Sequence, residues 1–339
     1  PDILQASLGS RTLEWETNTS FDVAVEFGLF KNRINGTIEY FDRQSTNLIF
    51  AVPLPLSVGI QTETRNIGSM YNRGFEIQLS GDVVRTKDFV WNIDVNATKL
   101  ENKITKMPAE SKEIIDGTKK LKEGTSLYDY WLREYKGVNP ENGVAEYRAI
   151  SYVASNSRIT PTGDTLTNNI ANARYWYNGT SIPDLTGSVT NSIRYKGFTL
   201  SALMVYQLGG KIYDAAYAGL MGAGYHNAKH VDILNRWVNP GDKTNVPRMD
   251  NGRTSDFDAA SDRWLIDGSY MNVRSVTLSY NLPKTLARKL KMDNAQVYLS
   301  GENFIMLSKR SGMNVQQNFG GTTSNVYSPA KSLVIGLSF

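Results

Sequence analysis

Two histidines, an acidic run and several close-set aromatics are the side chains with chemistry to offer in this sequence of 339 residues. His226 and His230 stand four apart, a spacing that aligns two imidazoles on one helical face, and with Asp232 they could hold a metal. A structural zinc site takes four ligands, and no further ones are evident, so a solvated loop helix is the plainer account. Asp256, Asp258 and Asp262 make an oxygen-rich segment of the kind that binds calcium, but the closing bidentate Glu of a calcium loop is absent, and a charged loop explains them equally. No metal is therefore expected. The chain has no cysteine, which excludes thiolate chemistry, disulfides and Cys-based metal sites. It also lacks GxSxG, HExxH, phosphate-loop and dinucleotide motifs. Neither an enzyme activity nor a cofactor is expected.

The aromatics fit noncovalent recognition. Tyr175, Trp176, Tyr177, Tyr213 and Tyr217, with Trp131, are the candidate ligand-binding residues, since flat ring faces suit sugars or peptide side chains and Tyr adds a hydroxyl. Girdle, loop packing and a protein seam are competing uses for the same rings. Net charge is +4, with no Lys/Arg stripe interleaved with aromatics, so no nucleic-acid partner is expected.

What must position these residues is a set of strands. Phe21, Val23, Val25, Phe27 and Leu29 alternate with Asp22, Ala24, Glu26 and Gly28. Phe89, Trp91, Ile93, Val95 and Ala97 alternate in the same way with Val90, Asn92, Asp94, Asn96 and Thr98. At the end, Leu333, Ile335, Leu337 and Phe339 fall on one face and Ser332, Val334, Gly336 and Ser338 on the other. A terminal strand closing on an aromatic is the assembly signal of outer-membrane barrels, and these four residues are read as that signal. The period of two predicts roughly eleven strands, near 15–29, 34–50, 64–82, 88–104, 126–137, 143–152, 183–196, 197–210, 264–281, 295–308 and 329–339.

Alternation alone does not separate a lipid-facing barrel from a sandwich with its apolar face inside. Length does: many segments exceed ten residues, against about five to six for a usual strand and about nine to eleven for a tilted membrane crossing. Connections alternate short (31–33, 85–88, 139–142, 195–197) and long (51–63, 105–125, 153–182, 211–263), as in an outer-membrane barrel. Phe27, Phe30, Tyr40, Phe41, Phe89, Trp91, Tyr195, Phe198 and Tyr280 read as an interfacial girdle near the short turns. No apolar run reaches the length of a membrane helix, and a mean hydropathy of −0.36 is compatible with a barrel because its apolar residues are interleaved. Inward polar residues such as Asp22, Glu26, Glu76, Asp94, Arg194 and Glu302 must meet water or protein.

An odd number of strands leaves an unpaired edge at each end, which hydrocarbon does not tolerate, so further strands are expected from outside this sequence. Any export signal is expected to lie outside this sequence, which reads as a fragment or a mature segment.

Blocks spread over nearly the whole chain carry a resemblance. They include Leu13-Glu14-Trp15-Glu16-Thr17, 27–42 (Phe27-Gly28-Leu29-Phe30-Lys31-Asn32 onward), 66–76 (Asn66-Ile67-Gly68-Ser69-Met70-Tyr71-Asn72-Arg73-Gly74-Phe75-Glu76), Tyr195-Lys196-Gly197-Phe198, Gly209-Gly210-Lys211-Ile212-Tyr213-Asp214 and 262–280. In this order they resemble the barrel of the SusC/RagA family of TonB-dependent outer-membrane transporters. The resemblance implies an all-β, transmembrane antiparallel barrel of 22 strands in the cell outer membrane, with long extracellular loops and short periplasmic turns. Residues 1–339 would be its C-terminal part, with the plug domain and N-terminal barrel strands absent. It further implies nutrient import of oligosaccharide, glycan or peptide, with a SusD-like surface lipoprotein as lid, TonB acting through the missing plug, and outer-membrane lipid around the wall. An outer-membrane receptor or adhesin without transport, and a soluble carbohydrate-binding β-sandwich, are the alternatives.

Lys31-Asn32-Arg33 and Tyr195-Lys196-Gly197 are tight reversals. Asn72-Arg73-Gly74 marks a bulge or a close backbone approach in the lumen, where contact with the plug is the functional reading. Residues 282–291 place Leu286 and Leu290 four apart among basic residues, which predicts a short amphipathic helix on the short-turn side, a capped connection or a contact with anionic headgroups.

Overall fold

Nine long strands carry the period-two pattern into one continuous antiparallel sheet: β1 (Thr17–Leu29), β2 (Ile34–Thr46), β3 (Ser69–Arg85), β4 (Phe89–Lys106), β5 (Leu185–Tyr195), β6 (Phe198–Leu208), β7 (Tyr270–Asn281), β8 (Gln296–Ser308) and β9 (Ser332–Ser338). The computed structural model describes residues 10, 12–60, 62–66, 68–108, 111–222, 228–249, 257–289, 291–316, 319–323 and 328–339. Each strand pairs with its neighbour in sequence, and among the described residues β1 and β9 are the two edges.

The register fixes what each face presents. One row across the sheet runs Val25, Ile38, Ile77, Ala97, Gly187, Tyr206, Met271, Leu307. The adjacent row, on the other face, runs Glu26, Thr37, Gln78, Asn96, Ser188, Val205, Asn272, Met306. The first face is apolar yet uncovered, with Val25 64%, Ile335 76% and Leu337 72% exposed. A compact sandwich would bury that face; here it is the outer surface of a barrel wall, and the polar face lines the lumen.

Short connections lie at one end. Phe30, Lys31 and Asn32 turn β1 into β2 with positive φ of 53°, 59° and 62°, and Lys196, with φ 52°, does so between β5 and β6. At this end Phe89, Tyr195, Phe198 and Tyr280 stand in one cross-strand row over β4 to β7, with ring centroids 6.5 Å apart for Phe89 and Tyr195 and 4.4 Å for Phe198 and Tyr280. That row is the girdle expected beside the short turns. Two other girdle expectations are corrected. Tyr40 packs on Phe75 at 5.2 Å near the opposite edge of the apolar band, and Phe41 points inward, 4% exposed. The expected helix forms as α2 (Lys284–Lys289) between β7 and β8, but it buries Ala287 and leaves Leu286 exposed; Leu290 lies outside the described residues.

Of the two readings of Asn72-Arg73-Gly74, a bulge or a close backbone approach, the second is the one found. Pairing runs unbroken through these residues, and register shifts fall at Ser69/Met70 and Asp82/Val84. A Cβ on Gly74 would meet the Lys99 carbonyl oxygen at 1.9 Å and the Phe41 ring at 2.9 Å, so the missing side chain makes room for that ring.

The predicted strands at 126–137 and 143–152 do not enter the wall. They form short strands, Asp129–Arg133, Tyr135–Val138 and Ala145–Arg148, inside one long connection between β4 and β5. Four or five residues are too few to cross a bilayer. Their alternation has the opposite cause from that of the wall: Tyr130, Leu132 and Tyr147 are buried against other loops. The turn at 139–142 therefore belongs to the long-loop end.

Candidate functional site

The long connections fold together over one end of the wall. Tyr130, Leu132, Tyr213, Met221, Phe257 and Trp264 form their core, drawn from two separate connections, between β4 and β5 and between β6 and β7. The Tyr130 hydroxyl lies 2.6 Å from the Gly321 carbonyl oxygen and 3.1 Å from that of Lys211. Asp214 caps α1 (Ala215–Leu220) by accepting from the Tyr217 N–H at 3.1 Å, and it pairs with Arg310 at 3.2 Å. The connection after β8 is thus anchored to the one after β6. Arg310 was not singled out from the sequence; the Gly209–Asp214 block pointed to this region but not to its ion pair.

The candidate aromatics separate into two groups. Trp131 stacks on Tyr175 with centroids 6.2 Å apart at 19°, and lies 4.8 Å from Tyr177, because Asp129–Arg133 pairs with Tyr175–Thr180 and brings the rings to one face. Lys120 sits 4.2 Å from the centre of the Trp131 ring and Arg133 4.6 Å from that of Tyr175, so each of these rings carries one cation on a face. Among the described residues, the buried Tyr177 hydroxyl has no hydrogen-bond partner. Tyr213 and Tyr217 belong elsewhere: Tyr213 is core, 8% exposed, and Tyr217 packs on Trp264 while its hydroxyl donates to Asp232 at 2.7 Å.

Trp176 points away from its neighbours, 41% exposed. It lines a cavity of about 540 Å³ with Asp184, Lys211, Asp262 and Asp267. The Trp176 indole donates to Asp262 at 3.4 Å. Burial is the main influence on Asp262 and pushes its pKa up, while the Tyr135 N–H and the Trp176 indole pull it the other way. The carboxyl of Asp267 behaves oppositely, held down at about 2 by the Lys309 ammonium and the Ser269 hydroxyl and N–H. The cavity thus offers one aromatic face, three carboxylates, of which Asp262 and Asp267 are shifted in opposite directions, and a lysine that donates to the Asn178 carbonyl at 2.6 Å. Such a lining suits hydrogen-bonding ligands with a flat apolar face.

Of the metal candidates, His226 and Asp256 lie outside the described residues. His230 accepts from the Asp232 N–H at 3.2 Å and packs on Tyr217. Asp262 accepts from the Tyr135 N–H at 2.8 Å, and Asp258 lies beside Gly222. Among the described residues no three His, Asp or Glu side chains converge as metal ligands. Leu333, Ile335 and Leu337 share the outward face of β9, with Phe339 following at 85% exposure.

Comparison with known proteins agrees with this architecture. The family of TonB dependent receptor-like β-barrels matches residues 2–304. The chain is 27% identical over 334 residues to TonB-dependent receptor P3 of Formosa agariphila, covering 94% of this chain and 32% of that protein. It is 25% identical over 346 residues to TonB-dependent receptor SusC of Bacteroides thetaiotaomicron, covering 97% of this chain and 32% of that one. A solved structure of the RagAB peptide importer superposes with a TM-score of 0.84 at 22% identity, over 98% of this chain and 36% of the other. The chain spans about a third of the length of the relatives it matches. The two-faced wall, the alternation of short and long connections and the family match agree: the chain belongs to the TonB-dependent receptor-like β-barrel family, with SusC among its relatives, and is an outer-membrane protein.

Proposed function

We propose that this chain is the C-terminal part of the barrel of an active importer, in which a plug and further strands from the rest of the protein complete the cylinder. The observation that carries this reading is the polar inner wall roofed by folded loops. A lumen lined by Glu26, Gln78, Asn96 and Ser188 is wet, and the loop body over it holds the Trp176 cavity. The edges β1 and β9 leave ladder groups that neighbouring strands would pair.

In this reading TonB works through the plug, and the chain supplies wall, loops and part of a binding cavity, with no covalent step. A SusD-like lipoprotein would rest on the loops, where Val231, Leu234 and Val238 are exposed apolar side chains. The cargo would be an oligosaccharide, a glycan or a peptide, contacted by Trp176 and by the Trp131, Tyr175 and Tyr177 rings.

The test is uptake by the source bacterium with the gene deleted. Loss of uptake of one labelled class, oligosaccharide or peptide, supports import. Loss of surface binding with unchanged uptake would make the protein a receptor or adhesin.

A further inference from the structure

The apolar outward run on β4 extends from Phe89 to Ala97, nine residues, and stops at Lys99. A tilted strand crosses the hydrocarbon in about nine to eleven residues, so Lys99 stands at headgroup level on the long-loop side. The same face then carries Glu101 and Lys103, with Arg73 directly cross-strand from Glu101.

These groups are arranged around one carboxylate. Glu101 accepts from Arg73 Nε at 2.9 Å and pairs with Lys103 Nζ at 2.8 Å. The guanidinium lies 4.3 Å from the centre of the Tyr71 ring, which fixes its plane. Arg73 and Lys103 remain 42% and 44% exposed, and Lys99 is exposed with no ion-pair partner among the described residues. Asp42, on the other side of Arg73, is the second acid of this face. Three cations therefore meet two carboxylates, and the excess charge is positive where the surrounding molecules are lipid.

We propose that Arg73, Lys99 and Lys103 bind a phosphorylated headgroup of an outer-leaflet lipid. Glu101 holds two of the cations by their inner donors and leaves outer N–H groups for phosphate oxygens, while Lys99 approaches from the membrane side. Position selects a lipid over a free phosphate, because a headgroup is anchored at this height by its chains.

The test uses the full-length protein in nanodiscs of phosphatidylcholine doped with lipid A, with bound lipid read by native mass spectrometry. The wild type retains lipid A. The R73Q/K99Q/K103Q variant loses it, with about fivefold weaker retention per charge removed. Glu101→Gln leaves the cations in place and tightens retention, which separates binding from a folding defect. Equal retention by wild type, triple variant and E101Q overturns the proposal, as does displacement of lipid A by inorganic phosphate alone.

Discussion

The indole N–H of Trp91 donates to the side-chain oxygen of Asn191 at 2.9 Å, and both residues stand on the outward face of adjacent strands. Asn191 shares its cross-strand row with Ile93 and Ala202, in the middle of the apolar band. An amide there is tolerated because Trp91 satisfies its oxygen. Trp91→Phe should cost about 1 to 3 kcal/mol by leaving that oxygen unpaired. Asn191→Leu alone leaves the indole N–H unpaired and should cost a similar amount, whereas Asn191→Leu together with Trp91→Phe should be close to neutral. Unfolding of the full-length protein in detergent, followed by tryptophan fluorescence or gel mobility, measures the difference.

Tyr130, with no exposed surface, ties three connections together through its hydroxyl. Tyr130→Phe should weaken local closure by about 1 kcal/mol, which corresponds to roughly fivefold faster hydrogen exchange around residues 211–213 and 319–323. Exchange in β4 should not change.

Lys119 donates to the Tyr128 carbonyl at 2.7 Å and lies 3.2 Å over the Tyr130 ring. Burial pushes its pKa down to about 7, opposed by Asp129. With the folded value below the unfolded 10.5, the unfolded loops bind more protons between these limits, so stability rises with pH from about 7 towards 10.5 and is flat below about 7. Protease resistance of the loops should follow that trend in the wild type and lose it in Lys119→Met.

Phe339 ends the chain's last apolar face and packs on little, at 85% exposure. If it is read during assembly, Phe339→Ser should lower the amount of folded protein in the outer membrane. Refolding of the purified full-length protein in detergent should be unaffected, because the side chain contributes little packing.

Much of the wall was legible because a strand's faces alternate at a fixed period, so Phe89 to Ala97 showed its lipid face without any tertiary knowledge. The segment around Tyr130 obeyed the same period for a different reason, burial against other loops, and the pattern is blind to which medium covers the apolar side. The site was less legible. Tyr213 and Trp176 both looked like recognition residues, but what separates them is packing: Tyr213 fills the loop core, whereas Trp176 opens onto a cavity with Asp262 and Asp267, and those partners come from distant connections. Gly74 stands out in the sequence, yet its purpose depends on the Phe41 ring of the adjacent strand.

Odd-numbered side chains from Phe89 to Ala97 face hydrocarbon and even-numbered ones face the aqueous lumen. Because the chain has no cysteine, single cysteines at each of these positions in the full-length protein can be spin-labelled and their collisions with oxygen and with a water-soluble nickel chelate measured in bilayers. The account predicts strict alternation, with oxygen dominant at positions 89, 91, 93, 95 and 97 and nickel dominant between them. Uniform accessibility, or alternation of the opposite sense, would contradict it.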